Sequence, residues 1–294
     1  MSFAIITDAA CDLPLQLAKD LDIVPVPMGV VIGGKEYESN IDERVLKFAD
    51  FYGLIGDGKT EAHTSAAVAF DFITLMEPEL KAGRDVLYLG FSSGLSATYN
   101  AGAQATAELR GKYPERKIYA VDTLCASAGE GLLLFLAARE RAKGKTIEDV
   151  RDFTENEKLN IVHDVIADDL HFLQRGGRVS ASVAFVGSLL SFKPIITVSH
   201  EGKLVNIDKT RGFKNGVKLL IDRMEKQITD PDGQTVFISH AHAPDKAAEL
   251  AASIRERFPT IKDIVISYIG SLIGVHTGPG TIALFYRGKR PDVS

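Results

Sequence analysis

The chain has 294 residues, 45% of them apolar and 25% charged, with a formal net charge of −5. That balance is a soluble globular chain with room for two domains and a sizeable core, and it excludes a nucleic-acid surface, since no basic cluster offsets the acidic total. No uninterrupted apolar run reaches membrane-spanning length. The two cysteines, Cys11 and Cys125, form neither a metal spacing nor a disulfide framework, and no basic leader precedes the first strand. A reducing, cytoplasmic location without a signal peptide is the expectation.

In chain order, Phe3 to Thr7 is an apolar strand ending in Asp8. Asp12 is the expected cap of the helix that follows, whose stripe is Leu13, Leu15, Leu17, Ala18 and Leu21 with Pro14 in its first turn. Ile23 to Ile32 is extended, with two prolines that suit an edge, and Gly33-Gly34 reads as a hairpin turn. The spacing of Val45, Leu46, Phe48, Ala49 and Tyr52 predicts a helix over 42–54. Thr64 or Ser65 stands where the N-cap of the next helix, with Phe70, Phe72, Ile73, Leu75 and Met76, belongs.

Val86 to Leu89 is a buried strand, broken at Gly90-Phe91-Ser92-Ser93-Gly94 and followed by a small-residue helix. Free N–H groups and hydroxyls at such a helix entrance suit an anion, although either serine could merely cap the helix. A strand over 117–122 ends in Asp122, and Leu132 to Arg141 is an apolar helix. Strand and helix in alternation, with polar residues at strand ends, predict a doubly wound, mostly parallel sheet that binds ligands at its carboxyl edge.

Past Thr146 the texture changes, and a boundary near residue 160 is expected. Strand 161–167 leads to a short helix closed by glycine in Arg175-Gly176-Gly177-Arg178, then to an apolar helix over 182–192. A hairpin about residues 200–203, two helices, two strands, the Gly-rich run 270–280 and a last strand complete a smaller mixed α/β domain. The domains are thus 1–160 and 161–294. Arg175 and Arg178 could cap a helix and pair with Asp168 or Asp169, clamp a phosphate, or form a docking edge. His240 and His242 lack a third ligand, and Asp8, Asp12 and Asp122 read as loop caps, so no metal is expected.

Four stretches in order resemble the DegV family of bacterial fatty-acid-binding proteins. They are Thr7-Asp8 with Asp12-Leu13-Pro14, then Ser92-Ser93-Gly94-Leu95-Ser96, Arg175-Gly176-Gly177-Arg178-Val179-Ser180, and Val275-His276-Thr277-Gly278. Thr64-Ser65 stands at that family's Thr-Ser motif, followed here by Ala66-Ala67-Val68 in place of the common Gln-Pro-Ser. The resemblance implies two α/β domains with a long-chain fatty acid, such as palmitate, stearate or oleate, held between them. Its carboxylate would meet Thr64 and Ser93 near His276, and Ser65, Ser92, Gly94 and Thr277 complete the implied ligand set. It also implies a binding subunit without catalytic residues or cofactor, serving a separate ATP-binding fatty acid kinase subunit, with Arg175 and Arg178 as docking candidates. Consistent with that, the sequence holds no phosphate-binding loop and no dinucleotide fingerprint. The competing expectation comes from the Gly-x-Ser-x-Gly elbow at residues 90–94, which would make Ser92 and His276 parts of a serine esterase.

Overall fold

The computed structural model describes residues 3–178 and 192–293. In the first half the elements run β1 (Ala4–Asp8), α1 (Leu15–Asp20), β2 (Ile23–Val26), β3 (Met28–Ile32), β4 (Lys35–Ser39), α2 (Phe48–Ile55) and β5 (Ala62–Ser65). They continue as α3 (Ala69–Lys81), β6 (Val86–Gly90), α4 (Thr98–Lys112), β7 (Ile118–Asp122), α5 (Ala128–Ala142) and α6 (Ile147–Glu157). The second half begins with β8 (Ile161–Ile166), α7 (Leu170–Arg175), β9 (Phe192–Val198), β10 (Leu204–Arg211) and α8 (Phe213–Gln227). It closes with β11 (Thr235–His240), α9 (Pro244–Arg257), β12 (Asp263–Tyr268), α10 (Ser271–Thr277) and β13 (Ile282–Arg287).

A parallel sheet in the order β2-β1-β6-β7 organises the first half. Its central strands β1 and β6 are buried at every position, as the unbroken apolar runs require. Phe72, Met76, Ala105 and Leu109 of α3 and α4 cover one face. Gly102 lets α4 lie directly on the sheet, because a Cβ there would stand 2.2 Å from the Tyr88 ring. The other face packs against α1, α5 and α6. The second half is a mixed sheet in the order β10-β9-β8-β13-β11-β12, with α8 and α9 on its outer face through Val217, Leu220, Leu250 and Ile254.

The helix α5 joins the halves. Leu132, Leu133 and Leu134 are all fully buried, the mark of a helix apolar all round, and Phe237, Ala283 and Phe285 of the second sheet belong to the same core cluster. Layers therefore stack as helices, parallel sheet, α5 and its neighbours, mixed sheet, helices. No helix among the described residues is long and apolar enough to cross a membrane.

Several local expectations are corrected. The segment 23–32 is two strands in different sheets, because β3 leaves the parallel sheet to pair antiparallel with β4 and β5. The helix expected from Asp42 starts only at Phe48, whose N–H donates to the Glu43 carboxylate at 2.7 Å. Asp12 does not cap α1; Pro14 holds the cap position, and the Asp12 carboxylate bonds elsewhere. Thr64 and Ser65 are not a helix cap either. They lie in β5, and α3 begins four residues later, where Asp71 reaches back to the Val68 N–H. Within the Gly-rich run 270–280, for which no element was expected, α10 occupies the centre. The apolar helix expected over 182–192 lies outside the described residues up to 191, and Phe192 begins β9.

Candidate functional site

A slot of about 90 Å³ runs between the carboxyl edge of the parallel sheet and the mixed sheet, on a scale where one water takes about 10–15 Å³. Met28, Phe91 and Leu95 wall it from the first half, and Val165, Ile196 and Phe285 from the second.

Thr64 enters through strand geometry. β5 pairs antiparallel with β3, placing Thr64 opposite Val30 and Ser65 opposite Gly29. Successive side chains alternate faces, so Thr64 lines the slot whereas Ser65 is exposed. Thr64 Oγ1 lies 3.3 Å from His276 Nε2, the donor being set by the imidazole tautomer. His276 comes from the last turn of α10. The ring packs against Gly176, where a Cβ would stand 2.5 Å from Nδ1. That buried Nδ1 has no hydrogen-bond partner among the described residues. Burial, reinforced by the charge of Arg178, lowers the His276 pKa to about 4, so the ligand-free imidazole is neutral at pH 7.

Arg178 lines the slot as well, with an exposed side chain whose Nε donates to the Leu95 carbonyl at 3.4 Å and whose Nη1 reaches the Gly176 carbonyl. Arg175 turns away from it, donating to the Gly58 carbonyl at 3.1 Å and stacking 4.8 Å from the Phe172 ring centroid. Neither arginine takes the ion pair considered for it with Asp168. That carboxylate is held by Lys193 at 2.9 Å and Lys246 at 3.0 Å. Thr277 and Ser96 complete the polar lining near His276 and Arg178. Ser96 Oγ accepts from the Thr98 N–H at 3.2 Å, at the entrance of α4. Its position two residues past Ser92-Ser93-Gly94 is the one signal that could have singled it out.

The two serines of the elbow do other things. Ser92 is fully buried, donates to the Gly202 carbonyl at 2.8 Å and accepts from the Gly94 N–H at 3.2 Å. A Cβ on Gly94 would meet the Glu201 carbonyl at 2.5 Å. Ser92 and Gly94 thus hold the turn between β9 and β10 against the first half. Ser93 is exposed, its N–H bonded to Asp122 at 3.2 Å, and it is not among the residues lining the slot. Neither serine caps α4, which starts at Thr98. The serine esterase expectation fails on the same contacts: the Ser92 hydroxyl is committed to backbone groups, and His276 faces Thr64 instead.

A second set of polar groups, at Ser127 and His163, is satisfied internally. The Ser127 hydroxyl donates to Asp12 and lies 3.1 Å from Ser239 Oγ. His163 Nε2 accepts from the Ala126 N–H at 3.2 Å, and Nδ1 lies 3.0 Å from the Ile161 carbonyl. Burial and the charge of Arg290 push its pKa well below the usual imidazole value. Sequence reading passed over these groups because nothing in their spacing marks them.

An apolar slot thus lies between two α/β layers, with hydroxyls, an imidazole and a guanidinium on its wall. The chain belongs to the DegV family: the family model described as "Uncharacterised protein, DegV family" matches residues 2–289. A DegV domain-containing protein of Clostridium perfringens is 43% identical to it over 99% of both chains. Among solved structures, a DegV lipid-binding protein of Thermotoga maritima is similar at 27% identity and a TM-score of 0.86, covering 99% of each chain. A fatty-acid-binding DegV family protein of Thermus thermophilus is similar at 25% identity and a TM-score of 0.88, over 98% of this chain and 100% of that one.

Proposed function

We propose that the protein holds one long-chain fatty acid in the slot, its carboxylate at Thr64 and His276 with Ser96, Thr277 and Arg178 around it. One observation carries the reading: among the polar groups lining the slot, Ser127, His163, Thr277 and Thr281 form a set bonded within the protein, and His276 with Arg178 form a second set with capacity to spare. Ser127 and His163 are bonded within the protein, whereas His276 Nδ1 has no partner among the described residues and Arg178 is exposed beside it. An anionic head group suits the second set, since charge-assisted hydrogen bonds are the stronger kind and an unpaired buried carboxylate would be costly. Apolar side chains take the hydrocarbon. The lipid and fatty acid ligands of the Thermotoga and Thermus relatives support this choice of amphiphile.

The reading extends to a division of labour. No nucleotide-phosphate loop occurs in the sequence, so acyl phosphate formation would fall to a separate ATP-binding kinase subunit, with Arg175 and Arg178, both exposed, as the docking candidates. A cytoplasmic site of action follows from such a partner. Organic extraction of denatured protein followed by gas chromatography tests the binding claim. About one acyl chain per monomer is expected, as a single ligand slot between the halves implies. A lipid-free extract together with no uptake of added oleate overturns it.

A further inference from the structure

The helix that brings His276 to the slot belongs to the second half by sequence, yet its entrance is bonded to the first. The Gly270 N–H donates to Asp12 Oδ1 at 2.8 Å. The Tyr52 hydroxyl donates to the Ile269 carbonyl at 2.7 Å. Ser39 and Ser271 share a hydrogen bond of 2.6 Å between their hydroxyls. Gly274 then lies against the α2 rings so closely that a Cβ would stand 2.6 Å from the Tyr52 hydroxyl and 2.7 Å from Phe51. Asp12, Ser39, Tyr52 and Ser271 are all buried, so each bond is made where a lost partner is not replaced by water. The second Asp12 oxygen takes the hydroxyl of Ser127, a slot residue. A single buried carboxylate thus ties the helix entrance to the slot wall.

We infer that Asp12, Ser39 and Tyr52 are positioning residues, which set α10 so that His276 meets the ligand carboxylate. The inference rests on the binding reading above. Its physical basis is leverage. Gly270 and His276 are separated by six residues, about 9 Å along a helix, and so short a rod tilts as one body. Release of its entrance displaces the imidazole relative to Thr64, which sits on a strand of the first half. None of these three residues lines the slot, and among the described residues the Ser39 and Tyr52 hydroxyls bond only to the α10 entrance. A change in head-group recognition on their substitution therefore has to travel through α10.

The test compares oleate with its methyl ester, which has the same hydrocarbon and no charge, in titration calorimetry on the full chain. Tyr52→Phe and Ser39→Ala each remove one hydroxyl and should weaken oleate about three- to tenfold, the equivalent of one net hydrogen bond. The methyl ester should be affected far less. In a His276→Ala background the same substitutions should no longer change the ratio of oleate to ester affinity. A merely structural role would lower both ligands together, and that result overturns the inference, as does an undiminished oleate preference or an equal effect in the His276→Ala background. Asp12→Asn is the stronger perturbation; if circular dichroism shows it unfolded, the two hydroxyl variants decide. Failure of the wild-type protein to bind either ligand would instead count against the binding reading itself.

Discussion

His276 carries the most chemistry of any single residue. It is neutral without ligand because burial and the nearby Arg178 charge hold its pKa at about 4. A carboxylate arriving beside it neutralises that charge and favours the imidazolium, so the pKa should rise on binding. Ring-nitrogen NMR of the histidine should therefore show titration near pH 4 in the free protein and at higher pH in the oleate-loaded one. An unchanged midpoint would separate His276 from the head group. Thr64→Val should weaken oleate by about 1–3 kcal/mol, the cost of leaving a desolvated charged group short of a donor. Ser93→Ala should change affinity much less, since that side chain is exposed and off the slot wall. At this scale the sequence was half legible. Hydroxyls and a histidine in short polar motifs can be picked out by residue type. Which serine of Ser92, Ser93 and Ser96 reaches the slot depends on where α4 starts, and that is decided by the turn over 92–97.

Among the elements, the turn between β9 and β10 and the elbow after β6 act as one clasp between the halves. Gly202 has φ +74°, and a Cβ there would stand 2.0 Å from Ser92 Oγ. Gly202→Ala should cost more than about 1 kcal/mol, combining the left-handed backbone with the clash. Ser92→Ala in the same chain should recover part of that loss by removing the hydroxyl from the collision. Urea denaturation of the two single variants and the double checks it; strictly additive losses would contradict the clasp. Elements with a strong period were readable in advance: α8, α9, β11 and the β9–β10 hairpin fall where the apolar pattern puts them. Of the three-stranded sheet β4-β3-β5, the β3–β4 hairpin at Gly33-Gly34 was readable and β5 was not. That strand is short, and Ala62–Ser65 has no apolar alternation to distinguish it from a loop, so the strand that delivers Thr64 becomes visible only through its pairing with β3.

At the scale of the whole molecule, buried acids matter: Asp8 is bonded within the first half, and Asp12 bridges it to the second. Burial raises the pKa of Asp8 to about 6 and that of Asp12 to about 7, both from 3.8, against the opposing effect of their hydrogen bonds. The folded state therefore keeps protons that the unfolded chain releases. Their contribution to stability is greatest at low pH, declines as pH rises from about 4 to about 7, and is constant above. Asp12→Asn removes one such group. The wild type should lose stability relative to this variant between pH 5 and pH 8, and identical pH dependence in urea melts would refute the assignment. The order of strands and helices foretold the doubly wound first half. The packing of both sheets on α5 was hidden, because an apolar run such as Leu132–Leu134 looks the same whether one layer covers it or two.

The central claim, a fatty acid carboxylate seated at Thr64 and His276 between the two halves, is tested most directly by NMR of the protein loaded with palmitate labelled with carbon-13 at the carboxyl. One bound resonance is predicted, at one equivalent of palmitate. Its chemical shift should move in both Thr64→Val and His276→Ala. A bound resonance that neither substitution moves, or no bound resonance at all, would contradict the account.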